Sequence, residues 1–342
     1  MGQPLRGAVI GCGFFAQNHL HAWKDIGDVA LVAVCDKDAA KARAAADTFG
    51  VPAWYDNAEA LFAGEQLDFV DIATTMPTHR ALVDLAARHR VPTIVQKPFA
   101  PTWDDCVAMV GACKAAGVAL MVHENFRFQT PLEAVRRVLG NGAIGAPYFG
   151  RISFRTAYPI FPNQPYLMRE EQLIILDLGI HVLDMARVYL GEVETVYAQT
   201  QRITPGIVAE DMATMLLRHR SGATCIVDCS YVSRISPDPF PQTLVHLEGP
   251  RGSIRLLEGY RMVVTSDGAT REEDVSSPLL SWTSQPWHTA QESVLKTQRH
   301  WVLCLREGRA PETSGEDNLR TYALVVAAYR SAAERRAVAP QI

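Results

Sequence analysis

The chain has 342 residues, a formal net charge of −4, 48% hydrophobic and 20% charged residues. Such a length suits two domains, the balance is that of an ordinary globular protein, and the mild acidity gives no footing on nucleic acid or an anionic membrane. No run of ~18 uncharged apolar residues occurs, and Met1-Gly2-Gln3-Pro4 leads straight towards a strand, so neither a membrane span nor a secretory segment is expected and a cytoplasmic location is.

Taken in order, Leu5 to Ile10 reads as a strand, Gly11-Cys12-Gly13-Phe14-Phe15-Ala16 as a turn, and the residues up to about Gly27 as a helix. A second apolar run, Ala30 to Cys35, finishes on Asp36. In a turn of this kind Gly11 permits the sharp exit from the strand, and Gly13 lets backbone N–H groups approach a pyrophosphate. Ala16, small like the glycine it replaces, lets helix and strand pack closely. The helix then starts at the phosphates, with its free N–H groups and dipole facing the anion. Asp36 lies 20 residues beyond Ala16, where a carboxylate accepts from an adenosine ribose hydroxyl and repels a 2′-phosphate, favouring NAD over NADP. Lys37 is the residue that keeps NADP as the minor alternative. The plain alternative, a tight strand–helix turn with no ligand, is outweighed by the strand, turn, helix and terminal acid occurring together.

Helices are expected over Ala39–Phe49 closing at Gly50, over Asn57–Phe62 capped by Asp56 or Asn57, over Pro77–His89, and over Trp103–Ala116 with Gly117 past its end. Strands are expected at Leu67–Thr74, Val91–Val95 and Val118–Val122. The alternation implies a doubly wound parallel sheet over residues 1–123. Ligands in such sheets bind beyond the carboxyl ends of the strands, which singles out Asp36, Thr74-Thr75-Met76, Gln96-Lys97-Pro98 and His123-Glu124-Asn125.

From residue 124 the pattern changes to a second, α+β domain reaching 342. Pro131–Leu139 and about Glu171–Tyr189 read as helices. Pro147–Arg155, Thr195–Arg202, Asp211–Arg218, Ala223–Val232, Gln242–Glu248, Gly252–Leu257 and Arg261–Ser266 read as strands of a large, mostly antiparallel open sheet. Two amphipathic helices close the chain, Ala290–Glu307 and Glu316–Arg335, the latter started by Ser314 and Asp317 and expected to pack back on the first domain. The seven cysteines are odd in number and form no Cys-x-x-Cys pair, which fits reduced core thiols.

Two places can carry chemistry. Lys97, at the carboxyl end of a parallel strand and followed by a backbone-restricting proline, suits a proton acceptor or an oxyanion partner; an ordinary surface lysine is the alternative. Asp177, His181 and Asp184 are spaced i, i+4, i+7, which puts them on one face of a helix, where a carboxylate can orient an imidazole for general-base work. The alternative is a capping Asp177 and a core His181. Gly179 inside that helix costs roughly 1 kcal/mol against alanine, which suggests a close approach to the backbone. The same groups could ligate a divalent ion, but no further cluster joins them, and His19, His21, His79 and His89 show no converging spacing; no metal is expected.

These residues together resemble the Gfo/Idh/MocA family of NAD(P)-dependent sugar and polyol oxidoreductases, over nearly the whole chain. The resemblance rests on Gly11 to Ala16 with Asp36, on Thr74-Thr75-Met76-Pro77-Thr78-His79, on Lys97-Pro98, on Asn125-Phe126-Arg127-Phe128, and on Asp177-x-x-x-His181. It implies a Rossmann domain plus an α/β domain whose sheet builds a homodimer or homotetramer. It also implies proton transfer by Lys97 and His181, substrate binding by Asp177, and Asn125 and Arg127 near nicotinamide or substrate. Gly11, Gly13, Phe14, Phe15, Ala16, Asp36, Lys37, Thr74, Thr75, His79, Gln96, Lys97 and Asn125 would then hold the cofactor, and Lys97, Arg127, Tyr158, Arg169, Asp177 and His181 the small-molecule substrate. Gln96 departs from the family's usual glutamate, keeping hydrogen-bonding capacity but removing a negative charge beside Lys97. Arg127, Arg155 and Arg169 tilt the substrate towards a sugar acid, and within the family the chain is similar to oxidoisomerases of branched sugar acids such as apionate. Two other readings stay open: a non-catalytic sugar sensor holding NAD, and a lyase or glycosidase using NAD transiently.

Overall fold

The computed structural model of the protein describes residues 3–162 and 164–341. Near-continuous apolar runs at Leu5–Ile10 (β1), Val29–Cys35 (β2) and Phe69–Ile72 (β4) form strands buried at or towards their carboxyl ends, as parallel strands covered by helices should be. With Ala53–Tyr55 (β3), Thr93–Gln96 (β5) and Leu120–His123 (β6) they make an all-parallel sheet in the order β3-β2-β1-β4-β5-β6. Its strand order reverses between β1 and β4, the position where this architecture binds dinucleotides. Helices follow the strands: Ala16–Lys24 (α1), Ala39–Phe49 (α2), Ala58–Gly64 (α3), His79–Arg88 (α4) and Trp103–Ala116 (α5). Local chemistry sets their ends. Asp38 caps α2, Asn57 caps α3 and Thr102 caps α5, while Gly50 and Gly117 close α2 and α5 in the left-handed conformation. The three-residue β3 had no counterpart among the expected strands, because three residues cannot display a period.

The chain divides into two compact units, residues 1–125 with 293–319, and residues 126–292 with 320–342. In the second unit Thr130–Gly140 (α6), Phe149–Arg155 (β7) and Ile180–Leu190 (α7) precede a run of strands. These are Val193–Gln201 (β8), Met212–His219 (β9), Thr224–Ser230 (β10), Leu244–Gly249 (β11), Gly252–Leu257 (β12), Arg261–Ser266 (β13) and Ala269–Asp274 (β14). The eight-stranded sheet runs β14-β13-β12-β11-β7-β10-β9-β8 and is antiparallel except where β10 pairs with β7. One face is buried: in β9, Ala213, Met215, Leu217 and His219 alternate with more exposed neighbours. Every residue of β14 is exposed, so it lacked the alternation that revealed the others. His288–Glu307 (α8) and Gly315–Glu334 (α9) end the chain, and the Ser314 hydroxyl accepts from Asp317 N–H at the start of α9.

The expected helix over 171–189 is different in detail. Residues Ile175–Gly179 form a π-turn, and regular α-helix starts only at Ile180. Among the described residues no helix is long and apolar enough to cross a membrane.

Candidate active site

The glycine turn lies at the strand-order switch. Gly11 has φ +103°, and a Cβ there would sit 2.6 Å from the Ala73 carbonyl oxygen just past β4. Both the conformation and the space demand glycine. A Cβ on Gly13 would meet no protein atom within 4 Å, so the backbone there is approachable. Helix α1 begins with Phe15 at its N-cap, no side-chain cap and no acidic residue in its first turn. No capping side chain or acid occupies that end, and a helix N-terminus so built suits an anion. Ala16 is buried, whereas the Phe14 ring is exposed. Asp36 stands at the end of β2, its Oδ2 accepting from Cys12 N–H at 2.8 Å and its Oδ1 from Asp38 N–H at 2.9 Å; Lys37 beside it is exposed. Turn, uncapped helix and acid together fit a dinucleotide. Burial, with Asp36 close by, pushes the Cys12 thiol up to about 12, so it stays protonated at neutral pH; all seven cysteines are buried and free.

Past β4, Thr75 precedes a 3₁₀ turn at Met76–Thr78, and the Thr78 hydroxyl donates to the Thr74 hydroxyl at 2.7 Å. His79 was expected to face the cofactor. Instead it is fully buried, with Nδ1 3.1 Å from the Phe99 carbonyl and Nε2 3.1 Å from the Thr74 carbonyl. Both ring nitrogens are turned onto the backbone, so His79 ties the Thr74 loop to the segment after Lys97. Burial lowers its pKa, against the opposing pull of those carbonyls.

Lys97 directly follows β5 and is half-buried. Gln96, 8% exposed, has its amide occupied at both ends: Oε1 accepts from Lys97 N–H at 2.7 Å, and Nε2 lies 2.9 Å from His19 Nε2. Asn125, almost fully buried, donates to the Ser293 hydroxyl at 2.7 Å.

In the second unit the three residues spaced as one helix face part company. The π-turn inserts an extra residue per turn at Asp177, and such turns are frequent at functional sites. Asp177, half-buried, accepts from the Tyr231 hydroxyl at 2.6 Å. Asp184, fully buried on α7, is held by Arg127 through Nε at 2.6 Å and Nη2 at 2.7 Å, by Arg187 at 3.4 Å and by the Thr321 hydroxyl. Burial alone would raise the Asp184 carboxyl, yet the Arg127 and Arg187 guanidiniums bring it below its ordinary value. His181, 3% exposed, stacks face to face on Phe126 with centroids 3.9 Å apart and planes 4° apart. What approaches Gly179 is the turn's own Ile174 carbonyl, 3.3 Å from where a Cβ would be.

Other substrate candidates are redistributed too. Arg127 gives one edge of its guanidinium to Asp184 and is 7% exposed, and Arg155 pairs with Asp228 at 3.3 Å. Two of the three arginines that suggested a sugar acid thus hold carboxylates of the protein itself. Arg169 is exposed at the end of a short 3₁₀ turn, Pro165–Arg169. Tyr158 stacks on Phe240 at 4.0 Å and accepts from Trp287 Nε1 at 3.2 Å, packed against a cluster that includes Ile160, Leu167 and Leu173. Tyr231 and the His19–Asp71 pair behind Gln96 escaped the sequence reading. Their partners lie 54, 77 and 52 residues away, beyond any local spacing. Among the described residues no group of three or more His, Cys, Asp or Glu is arranged to hold a metal ion.

Comparison with known proteins matches residues 5–124 to the oxidoreductase family with an NAD-binding Rossmann fold, and residues 132–255 to the GFO/IDH/MocA C-terminal domain. The chain is 53% identical over 334 residues to a D-apiose dehydrogenase of Rhizobium rhizogenes, covering 98% of this chain and 97% of the relative. A D-apiose dehydrogenase of Paraburkholderia graminis is 54% identical over 334 residues, covering 98% and 89%. A crystal structure of an oxidoreductase from Agrobacterium radiobacter in complex with NAD+, L-tartaric acid and magnesium superposes with a TM-score of 0.97 at 53% identity, covering 98% of each chain.

Proposed function

The chain belongs to the GFO/IDH/MocA oxidoreductase family and is an NAD-dependent dehydrogenase of CH–OH groups; from that premise we propose that its substrate is D-apiose or a closely similar branched sugar. The observation that carries this reading is identity above one half, along nearly the whole chain, to two proteins of that activity. The commitment of Arg127 and Arg155 to internal carboxylates agrees with a neutral sugar in place of a sugar acid.

NAD, when bound, supplies the acceptor for the hydride that leaves the carbinol carbon. The protein's part is binding and proton management. Gly11, Gly13 and the α1 N-terminus take the pyrophosphate, Asp36 the adenosine ribose, and Thr74 and Thr75 line the same strand ends. Lys97 takes the hydroxyl proton as the carbonyl forms. Asp177, held by Tyr231, anchors a sugar hydroxyl, and His181, its ring fixed against Phe126, shares the proton transfer. The relatives are dehydrogenases, which supports oxidation without skeletal rearrangement. The reduced cysteines accord with a cytoplasmic setting, and the outer face of the eight-stranded sheet is proposed to join copies into a dimer or tetramer, which light scattering on the purified protein measures.

The test is NADH formation with D-apiose beside a panel of aldoses, polyols and sugar acids, with product analysis. D-Apiose should give the highest kcat/KM, NADP much less than NAD, and a product that keeps the substrate's carbon skeleton. Tight NAD without turnover on any sugar would point to a sensor, and product without net NADH to a lyase; either sinks the proposal.

A further inference from the structure

Behind Lys97, buried polar groups from three elements are joined in series. Asp71 on β4 is fully buried, and its Oδ2 accepts from Trp23 Nε1 at 2.7 Å and contacts His19 Nδ1 at 2.8 Å. The His19 ring on α1 is fully buried too, and its Nε2 lies 2.9 Å from Gln96 Nε2. Gln96 Oε1 then accepts from the backbone N–H of Lys97 at 2.7 Å. The directions of these bonds follow from chemistry. A backbone N–H only donates, so the amide oxygen of Gln96 must face Lys97 and its NH₂ must face His19. That NH₂ only donates, so His19 Nε2 must accept. The single imidazole proton is therefore on Nδ1, given to Asp71. The other groups around the ring are His123 on β6, with ring centroids 4.3 Å apart, Phe15, and Gln298 on α8. Gln298 donates to the His19 carbonyl at 3.3 Å and reaches Asp71 Oδ2 at 3.5 Å. Asp71 and His123 thus face the His19 ring as titratable groups, Lys97 meets the relay through its backbone N–H, and both glutamines are neutral.

We propose that Asp71, His19 and Gln96 form a positioning relay for Lys97 that is complete only while His19 is neutral, and that glutamine at position 96 is matched to that neutral state. The functional part rests on the assignment of Lys97 to proton transfer. A proton added to His19 Nε2 sets donor against donor at Gln96. Turning the amide over relieves that clash but aims NH₂ at the Lys97 N–H, so the bond that holds the lysine backbone is lost. A glutamate at 96 reverses the match, because a carboxylate accepts from both Lys97 N–H and a charged imidazolium, which then lies between two carboxylates.

The decisive measurement needs neither cofactor nor substrate: ring-nitrogen NMR of ¹⁵N-histidine-labelled protein, with His19 assigned through His19→Gln. In the wild-type protein at pH 8 His19 should show the neutral Nδ1–H tautomer, and in Gln96→Glu at the same pH the doubly protonated form. On the enzyme, Gln96→Met, which removes the amide and its bond to the Lys97 N–H, should reduce kcat by about tenfold, the order of one lost hydrogen bond, with KM for the sugar little changed. A wild-type Nε2–H tautomer, a charged wild-type His19 at pH 8, or a Gln96→Glu protein with neutral His19 overturns the relay. Because the NMR reads the unliganded protein, failure of D-apiose as substrate would leave that result standing.

Discussion

Individual side chains here take their roles from partners that are distant in sequence. Lys97 is held at its backbone by Gln96, so truncating only its side chain should spare the fold. Lys97→Ala is expected to lower kcat by about 10²–10⁴-fold, the range for losing a general acid–base group, with NAD affinity by calorimetry changed far less. Unchanged turnover would remove Lys97 from the mechanism. Tyr231→Phe deletes the 2.6 Å bond to Asp177 and little else. A rise of about tenfold in sugar KM, with kcat much less affected, is the expected outcome of releasing the carboxylate proposed to anchor the sugar. Gly11→Ala forces an L-residue into φ +103° and places its methyl 2.6 Å from the Ala73 oxygen. The conformation alone costs about 1–2 kcal/mol, so both Tm and NAD affinity should fall, and a variant that binds NAD normally would contradict the role given to this turn.

At the scale of elements, α7 carries the clearest lesson. Its sequence predicted one uninterrupted helix with Asp177, His181 and Asp184 in line, whereas the π-turn at Ile175–Gly179 and the pull of different neighbours separate the acids. Asp177 goes to Tyr231 after β10, and Asp184 to Arg127 before α6. The Arg127–Asp184 pair, both members buried, fastens those elements within the second unit. Removing one partner leaves an uncompensated buried charge, so Arg127→Met should destabilise by roughly 3–5 kcal/mol in urea unfolding. A loss below about 1 kcal/mol would mean that Arg187 and Thr321 suffice to hold Asp184.

For the whole molecule, the titrating groups set an acid limit. Burial lowers the pKa of His79 and of His219, in each case against backbone hydrogen bonds, so the folded protein holds fewer protons on them than the unfolded chain. Their contribution to stability is present above the unfolded histidine value of about 6.5 and is lost as pH falls through the lower folded values. Asp184, also lowered, adds stability that is present above the ordinary carboxylate range and disappears only as pH falls below it. Thermal melts should therefore show Tm nearly level from pH 8 to 7, declining below about 6.5 and dropping steeply in the acid range. Replacing His79 with glutamine should flatten the first decline if the protein folds, and a Tm that rose on acidification would contradict the assignment.

Much of the fold was legible because it is written in local patterns. The bounds of α2 and α5 matched to the residue, since Asp38, Thr102, Gly50 and Gly117 set them within one turn. The bounds of β12 and β13 matched because alternation and turn glycines are local as well. The glycine turn with Asp36 at the end of β2 was legible as structure for the same reason, each being a short segment whose geometry its own residues dictate. Three-residue β3 and wholly exposed β14 were silent, the first too short to show a period and the second without a buried face. The sequence by itself determined the two-domain architecture, the cofactor class and the strand ends where chemistry could occur. Only the tertiary structure decided that His79 grips backbone, that Arg127 neutralises Asp184, that Asp177 answers to Tyr231, and that Gln96 joins Lys97 to His19 and Asp71. The physical reason is that the donor–acceptor complementarity and desolvation that choose among polar partners act between groups in contact, and those groups lie 20 to 77 residues apart in the chain wherever the contact is not made inside a single turn.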